Sequence, residues 1–237
     1  MEISNPRELS RCISYATKEP DTISWIDTYI RPGDVMYDIG ANMGQYSLYA
    51  ALKYTGKVRV YCFEPESQTY AALNRNIHIN NVSNMVTSFC LAISDSTRFD
   101  TFNVRGNLRA GEAIHQFGRT IDDAGIMFTP IHRQGMMGVS LDDLHYIYGM
   151  DIPQCIKIDV DGLESAVIRG GTRILRNSRL RSVLIEITEV LSRKEEMGLI
   201  YETFEKNGFR VVSKVAARIE EPEYPSYNVV FSRVESS

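Results

Sequence analysis

The stretch "IKIDVDGLE" sets three carboxylates, Asp159, Asp161 and Glu164, at the end of an apolar run. Carboxylates grouped in this way can take a proton from a hydroxyl or hold a divalent cation through hard oxygen ligands. Asp159 closes a strand pattern, and period-two alternation brings Asp161 to the same side if the strand continues that far. Glu164 then falls at a helix start, where the dipole favours its negative charge. A D-G turn followed by a capped helix would use the same residues structurally. Glu186, at the end of "LIEI", approaches from the adjacent strand. The spacing completes no metal loop, so no metal ligand is assigned and a divalent cation is allowed rather than indicated. Of the histidines, His115 and His132 lie in a glycine-rich stretch as general bases or acceptor contacts, whereas His78 and His145 have helical contexts that favour structural roles.

A second constellation is "VMYDIGANMGQYSLYAA", where an apolar strand pattern passes through Gly40 and Gly44 into a helix. Glycine lets a ligand approach the backbone and adopts dihedrals closed to other residues. Dinucleotide folds seat a pyrophosphate on GxGxxG, and "GANMG" lacks the middle glycine, which favours a different ligand. Glu64 ends the next strand pattern, "KVRVYCFE", where an acidic side chain in α/β sheets accepts from both hydroxyls of a ribose. Asp95, in "AISD", is placed to meet an adenine amino group or to cap a loop.

The elements that must carry these groups alternate. "DTISWIDTYI" reads as a leading helix with Asp21 at the cap. "DVMYDIG", "KVRVYCFE", "NMVTSFCLAIS", "QCIKIDV" and "RSVLIEI" read as strands, separated by the helices "QYSLYAALKY", "ESQTYAALNRNIHINN" and "LESAVIRGGTRILRN". "RKEEMGLIYETFEKNG" is a further helix. "FRVVSKV" and "YNVVFSRV" then follow as two strands joined by the turn-rich "EEPEYPS", with no helix between them. Alternation predicts a parallel sheet with helices on both faces, and the final pair requires an antiparallel strand at one edge. Residues 96–139 have many glycines, short apolar runs and no sustained period, which predicts a long irregular insertion of the kind that caps a binding site. Its Met127, Met136, Met137, Phe117 and Phe128 suit an adaptable apolar lining, or simple packing onto the domain.

With 237 residues and 43% hydrophobic content the chain can bury one core, so a single domain over 1–237 is expected, with residues 1–32 as a helical lead-in. A net charge of -4 argues against a general affinity for nucleic acid. Its apolar runs are strand-sized, predicting no membrane span, and the N-terminal "MEISNPRELSRC" lacks a signal-type apolar core, so a cytoplasmic location is expected. Four widely spaced cysteines suggest reduced, mostly buried thiols. Arg169, Arg173 and Arg176 recur at helical spacing and would attract an anionic acceptor, or form a solvated face.

"DIGANMGQYSLYAA", "CFEPESQTYAALNRNIHINN", "AISD", "VSLDDL", "IKIDVDGLESAVIRGG" and "LIEI" occur in order, and together they resemble the FkbM family of S-adenosylmethionine-dependent methyltransferases from about residue 30 to 190. The resemblance implies a Rossmann-like, seven-stranded methyltransferase sheet, mostly parallel, with an antiparallel C-terminal hairpin strand. It implies that S-adenosyl-L-methionine is the cofactor, with Asp38, Gly40, Asn42, Gly44, Tyr46 and Ser47 around its methionine end, Glu64 on the ribose and Asp95 near the adenine. Asp159, Asp161, Glu164 and His115 become the catalytic candidates. The implied reaction is O-methylation of a small-molecule or saccharide hydroxyl, and a homo-oligomer stays open. Asp161 departs from the glutamate usual in the family, keeping the charge with a shorter reach. Two rivals are a nicotinamide oxidoreductase, which the missing glycine and terminal strand pair disfavour, and a catalytically silent cofactor-binding module, against which Asp159 and Glu164 speak.

Overall fold

The computed structural model describes residues 1–106, 108–113, 115–122, 124–218 and 225–234, with side chains except at 15–18 and 218. Two helices lead, α1 (Pro6–Lys18) and α2 (Pro20–Tyr29). The alternating part follows as β1 (Val35–Ile39), α3 (Gln45–Lys53), β2 (Arg59–Phe63), α4 (Ser67–Ile79) and β3 (Val86–Phe89). Then come β4 (Ala92–Ser94), β5 (Arg98–Val104), β6 (Gln116–Phe117), β7 (His132–Ser140) and α5 (Leu141–Tyr146). The chain continues through β8 (Cys155–Ile158), α6 (Glu164–Arg169), α7 (Thr172–Arg176), β9 (Ser182–Thr188), α8 (Lys194–Lys206), β10 (Phe209–Arg218) and β11 (Ser226–Arg233). The turn proposed at "EEPEYPS" lies mostly outside the described residues, at 219–224.

The main sheet has seven strands in the order β10-β11-β9-β8-β1-β2-β3. Its five central and edge strands from β9 to β3 run parallel, and β11 enters antiparallel between β9 and β10. Strand order reverses between β1 and β8, the place where open α/β sheets leave a crevice at the carboxyl ends. Alternate side chains feed two cores. Tyr37, Ile39, Ile156, Ile158, Val183 and Ile185 pack on one face beneath α6, α7 and α8, and Met36, Val60, Cys62, Leu184 and Val230 pack on the other with Trp25 and Ile26 of α2, Leu48 of α3 and Leu73 of α4.

Four expectations change. Residues 96–139 are not irregular throughout: β4, β7, β5 and β6 form a separate four-stranded sheet, with Ala92, Phe102, Val104, Phe117 and Met136 as its own core. The pattern is hard to read in sequence because Phe99 of β5 faces solvent while Phe102 and Val104 face inward. "NMVTSFCLAIS" is two strands, since the chain leaves the main sheet after Phe89 and Ala92–Ser94 pairs in parallel with β7. "LESAVIRGGTRILRN" is two short helices, because Gly170 presses on the Ser94 carbonyl, where a Cβ would stand 2.1 Å from the oxygen, and Gly171 on Leu141. The leading helix begins at Pro20 with Glu19 as its cap, so Asp21 lies in the first turn instead of capping it.

Candidate active site

A cavity of about 650 Å³ opens at the carboxyl ends of β1, β2 and β8. Gly40, Asn42, Glu64, Asp159, Asp161 and His115 all line it. Gly40 has φ +79°, and a Cβ there would lie 1.8 Å from the Asp159 carbonyl oxygen, so this glycine lets the first loop pass against the end of β8. Asn42 is also left-handed, at φ +49°, which short polar side chains tolerate. That conformation aims the Asn42 N–H at Glu64 Oε2, 2.9 Å away, while the Glu66 N–H donates to Glu64 Oε1 at 2.9 Å. Each carboxylate oxygen therefore holds one backbone donor and keeps further lone pairs for the cavity. Burial pushes the Glu64 carboxyl up to about 8, against the pull of those two N–H groups.

Asp38, Ser47, Gly44 and Asp95 are placed otherwise than expected. Asp38 alternates with Tyr37 and Ile39, so it points under α3, where the Ser47 hydroxyl donates to its Oδ2; Ser47 Oγ also accepts from the Cys62 thiol at 3.0 Å. Both side chains are core groups beneath the loop, and neither lines the cavity. A Cβ on Gly44 would meet Leu73 Cδ1 at 2.5 Å, so Gly44 serves helix packing of α3 on α4. Asp95 belongs to the turn after β4, where Arg98 Nη1 donates to it at 2.7 Å and Arg169 lies 3.9 Å away. Tyr46 is a wall of a small recess beside the cavity, which it shares with Arg11, Glu19, Lys157 and Asp159.

Among the catalytic candidates, Asp159 is tied to a buried lysine. Lys157 is 2% exposed, with its Nζ 3.0 Å from Asp159 Oδ2, 4.0 Å from Asp38 Oδ1 and 5.3 Å from the Tyr46 ring centroid. Burial alone would lower the Lys157 pKa, but Asp159 and Asp38 outweigh it and hold the ammonium charged. Asp161 stands at φ +49° in a left-handed turn with Gly162, its carbonyl accepting from Gln116 Nε2 at 2.6 Å. Glu164 faces away from the cavity. Its Oε1 accepts from the Gly162 N–H at 2.7 Å and its Oε2 lies 3.6 Å from Arg193 Nη2, so it fixes the D-G turn to the start of α8. Burial raises its carboxyl to about 7. His115 is buried on the cavity wall, edge-on to Phe102 at 5.9 Å. Glu186 lines the cavity, and among the described residues no group of three or more His, Cys, Asp or Glu is arranged to hold a metal ion.

Three contributors were not named from the sequence, and two of them, the polar face of α1 and the 110–113 loop, carry no mark in the linear pattern. Arg7, Ser10, Arg11 and Ser14 form the polar face of α1 and line the cavity roof. Arg11 Nε donates to the Gly111 carbonyl at 2.5 Å and Asn5 Nδ2 to the Ala110 carbonyl at 3.2 Å, so α1 is fastened to the 110–113 loop. Asn42 Nδ2 in turn donates to the Glu112 carbonyl at 3.2 Å, which ties the glycine loop to that same segment. Only Lys157 had a sequence signal, a charge inside "CIKI" whose strand register sets it opposite Asp38. The basic stripe lies elsewhere, with Arg169 beside Asp95 and Arg173 stacked on Tyr146. No helix among the described residues is long and apolar enough to cross a membrane.

Comparison with known proteins gives the family and the fold. The model of the methyltransferase FkbM domain matches residues 38–211. The chain is 28% identical over 202 residues to the 31-O-demethyl-FK506 methyltransferase FkbM of Streptomyces tacrolimicus, covering 78% of this chain and 76% of that one. It is 25% identical to methyltransferase 1 of Beauveria bassiana, covering 79% and 74%. Among solved structures, the fold is shared with magnesium protoporphyrin IX methyltransferase of Synechocystis, with a TM-score of 0.54 at 11% identity over 99% of this chain and 86% of the other. Precorrin-6y C5,15-methyltransferase of Geobacter metallireducens superposes with a TM-score of 0.51 at 15% identity, covering 92% and 89%. The chain belongs to the methyltransferase FkbM domain family, as an enzyme whose methyl donor is S-adenosylmethionine.

Proposed function

We propose that this enzyme methylates a hydroxyl of a small natural product or saccharide, with Glu64 at the donor's ribose and Asp159 at the acceptor. The observation that carries the reading is a single cavity holding both groups, Glu64 after β2 and Asp159 after β8, with Phe102 and Phe117 of the small sheet on its wall. The residues fit the donor. Glu64 keeps lone pairs for two hydroxyls, and the recess that Arg11 and Glu19 line offers both charges to an amino acid's carboxylate and ammonium. When bound, S-adenosylmethionine supplies a sulfonium methyl whose carbon–sulfur bond breaks, the pair leaving on sulfur, as the acceptor oxygen bonds to carbon. Asp159 accepts the hydrogen bond of the acceptor hydroxyl and takes its proton, and Lys157 fixes the carboxylate's position. Alignment and exclusion of water are the main tasks that remain, and α1 with the 110–113 loop covers the cavity for that purpose.

On this reading the chain works as one methyltransferase domain, residues 1–32 roofing the donor and residues 96–139 shaping the acceptor side. Its four free cysteines suit a reducing cytoplasm. Calorimetry with S-adenosylmethionine and S-adenosylhomocysteine, followed by an acceptor screen read by mass shift with and without chelator, tests the proposal. Binding of both compounds and methylation of a neutral hydroxyl compound are expected, whereas folded protein that binds neither compound would end it.

A further inference from the structure

The Asp161–Gly162 turn after β8 is gripped at three successive backbone groups by side chains from other segments. Gln116 Nε2 of β6 donates to the Asp161 carbonyl at 2.6 Å, the Gly162 N–H donates to Glu164 Oε1 at 2.7 Å, and the Gly162 carbonyl accepts from Arg193 Nη2 at 2.6 Å and from Arg119 Nη2 as well. The two donors from the insertion are fixed in turn. Arg119 Nε donates to Gln116 Oε1 at 2.8 Å, Asn103 Nδ2 of β5 donates to the Arg119 carbonyl at 2.8 Å, and Gln116 is fully buried. The arrangement is costly. Burial, and Arg193 beside it, lower the Arg119 pKa, so bringing two guanidiniums to one carbonyl carries a penalty that Glu196 and Glu164 offset only in part. Asp161 adds to it, because φ +49° lies in the left-handed region that residues with a Cβ avoid.

Those costs fall on a cavity wall, since Val160, Asp161 and Leu163 line it on either side of Gly162 and follow directly on Asp159. Resting on the methyltransferase reading, we propose that Gln116 and Arg119 are positioning residues that hold Asp161 in its left-handed form, so that its carboxylate takes a hydrogen bond from the acceptor beside Asp159. A left-handed residue with a side chain persists where its surroundings over-determine it. Here the surroundings are the insertion. With the two donors in place, the small sheet and the end of β8 keep one geometry across the acceptor side of the cavity. Without them, the Asp161 and Gly162 carbonyls lose their partners on that side and the turn relaxes toward the right-handed region, taking Asp161 with it. Arginine suits the task because its planar fork serves the Gln116 amide oxygen and the Gly162 carbonyl through separate N–H groups. A lysine ammonium on a flexible stem would keep the charge and lose the fork.

The first test needs no acceptor. Crystal structures of Arg119→Ala and Gln116→Met, with and without S-adenosylhomocysteine, are expected to show Asp161 moved to negative φ, and Asp161 still near φ +49° in both variants overturns the proposal. The second test uses the acceptors that the mass-shift screen finds. Arg119→Ala is expected to lower kcat by about tenfold or more, with S-adenosylhomocysteine affinity within about twofold of the parent, and Arg119→Lys to fall between the two. Added guanidinium ion should restore part of the turnover lost in Arg119→Ala and none of that lost in Asp161→Asn. A double-mutant cycle supplies the readout that a merely structural role would not move: in the Asp161→Asn background, Arg119→Ala should lower kcat by less than about twofold further. Losses that multiply in the double variant, or Asp161→Asn turning over like the parent, would refute the positioning role. Should Arg119→Ala fail to fold, Arg119→Lys and Gln116→Met carry the same cycle. Failure of the methyltransferase reading shows separately, as folded parent protein that binds no cofactor.

Discussion

Binding of the methyl donor should expel a proton from Glu64, and the structure sets how much. The free carboxyl is raised to about 8 by burial, so at pH 7 it binds about 0.9 proton. Two ribose hydroxyls donating to its remaining lone pairs, with a sulfonium charge nearby, stabilise the ionised form and lower its pKa in the complex. Affinity for S-adenosylmethionine should then rise with pH by about tenfold, or about 1.4 kcal/mol, from pH 7 to a plateau above pH 8. The linkage to folding has the opposite sign. A carboxyl raised above its ordinary 4.5 favours the fold below that value and loses its contribution as pH climbs through about 8, so the ligand-free protein should melt lower at pH 8.5 than at pH 5.5. Calorimetry at pH 7 in two buffers of different ionisation enthalpy counts the protons released, and should find close to one at pH 7 and none at about pH 9.5. Glu64→Gln should bind at least about tenfold more weakly and release no proton, because the amide can accept from only one of the Asn42 and Glu66 N–H groups. Parent protein that releases no proton at pH 7 would refute the reasoning.

Other expectations follow from the same geometry. Asp159→Asn should cut turnover by about a hundredfold or more while S-adenosylhomocysteine affinity changes far less, and equal turnover in variant and parent would exclude a required charge at that position. Lys157→Met removes the one cation among the described residues that reaches Asp38 and should cost about 3–5 kcal/mol in denaturant unfolding; a loss under about 1 kcal/mol would show that the carboxyl is buried neutral. Gly40→Ala forces a methyl into the space 1.8 Å from the Asp159 carbonyl, so a loss of roughly 3 kcal/mol or more in stability is expected, and a thermal melt matching the parent would contradict the close approach.

The alternation of apolar strands and amphipathic helices was legible because each strand of the main sheet is its own local pattern, and "FRVVSKV" beside "YNVVFSRV" with no helix between them required an antiparallel edge. The small sheet was not legible. Its strands β5 and β7 are paired only through tertiary contact, and Phe99 on the solvent face masks the alternation that would have announced β5. Within the site, residues at strand ends could be named from position. Gly40, Asn42, Glu64, Asp159 and Asp161 do meet in one cavity, because the carboxyl ends of parallel strands share an edge of the sheet, and His115 joins them from the segment before β6.

Sequence by itself determined that edge: the order of elements, the acidic residue after β2 and the carboxylates after β8. Which way each side chain turns was decided only in three dimensions. Asp38 and Ser47 belong to each other beneath α3, Asp95 to Arg98, and Glu164 to the Gly162 turn. The polar face of α1 became the cavity roof because its partners, Ala110 and Gly111, lie about a hundred residues along the chain. A one-residue change of register in a strand moves a carboxyl from pocket to core, and that register is fixed by the packing of both faces at once, which no local stretch of sequence contains.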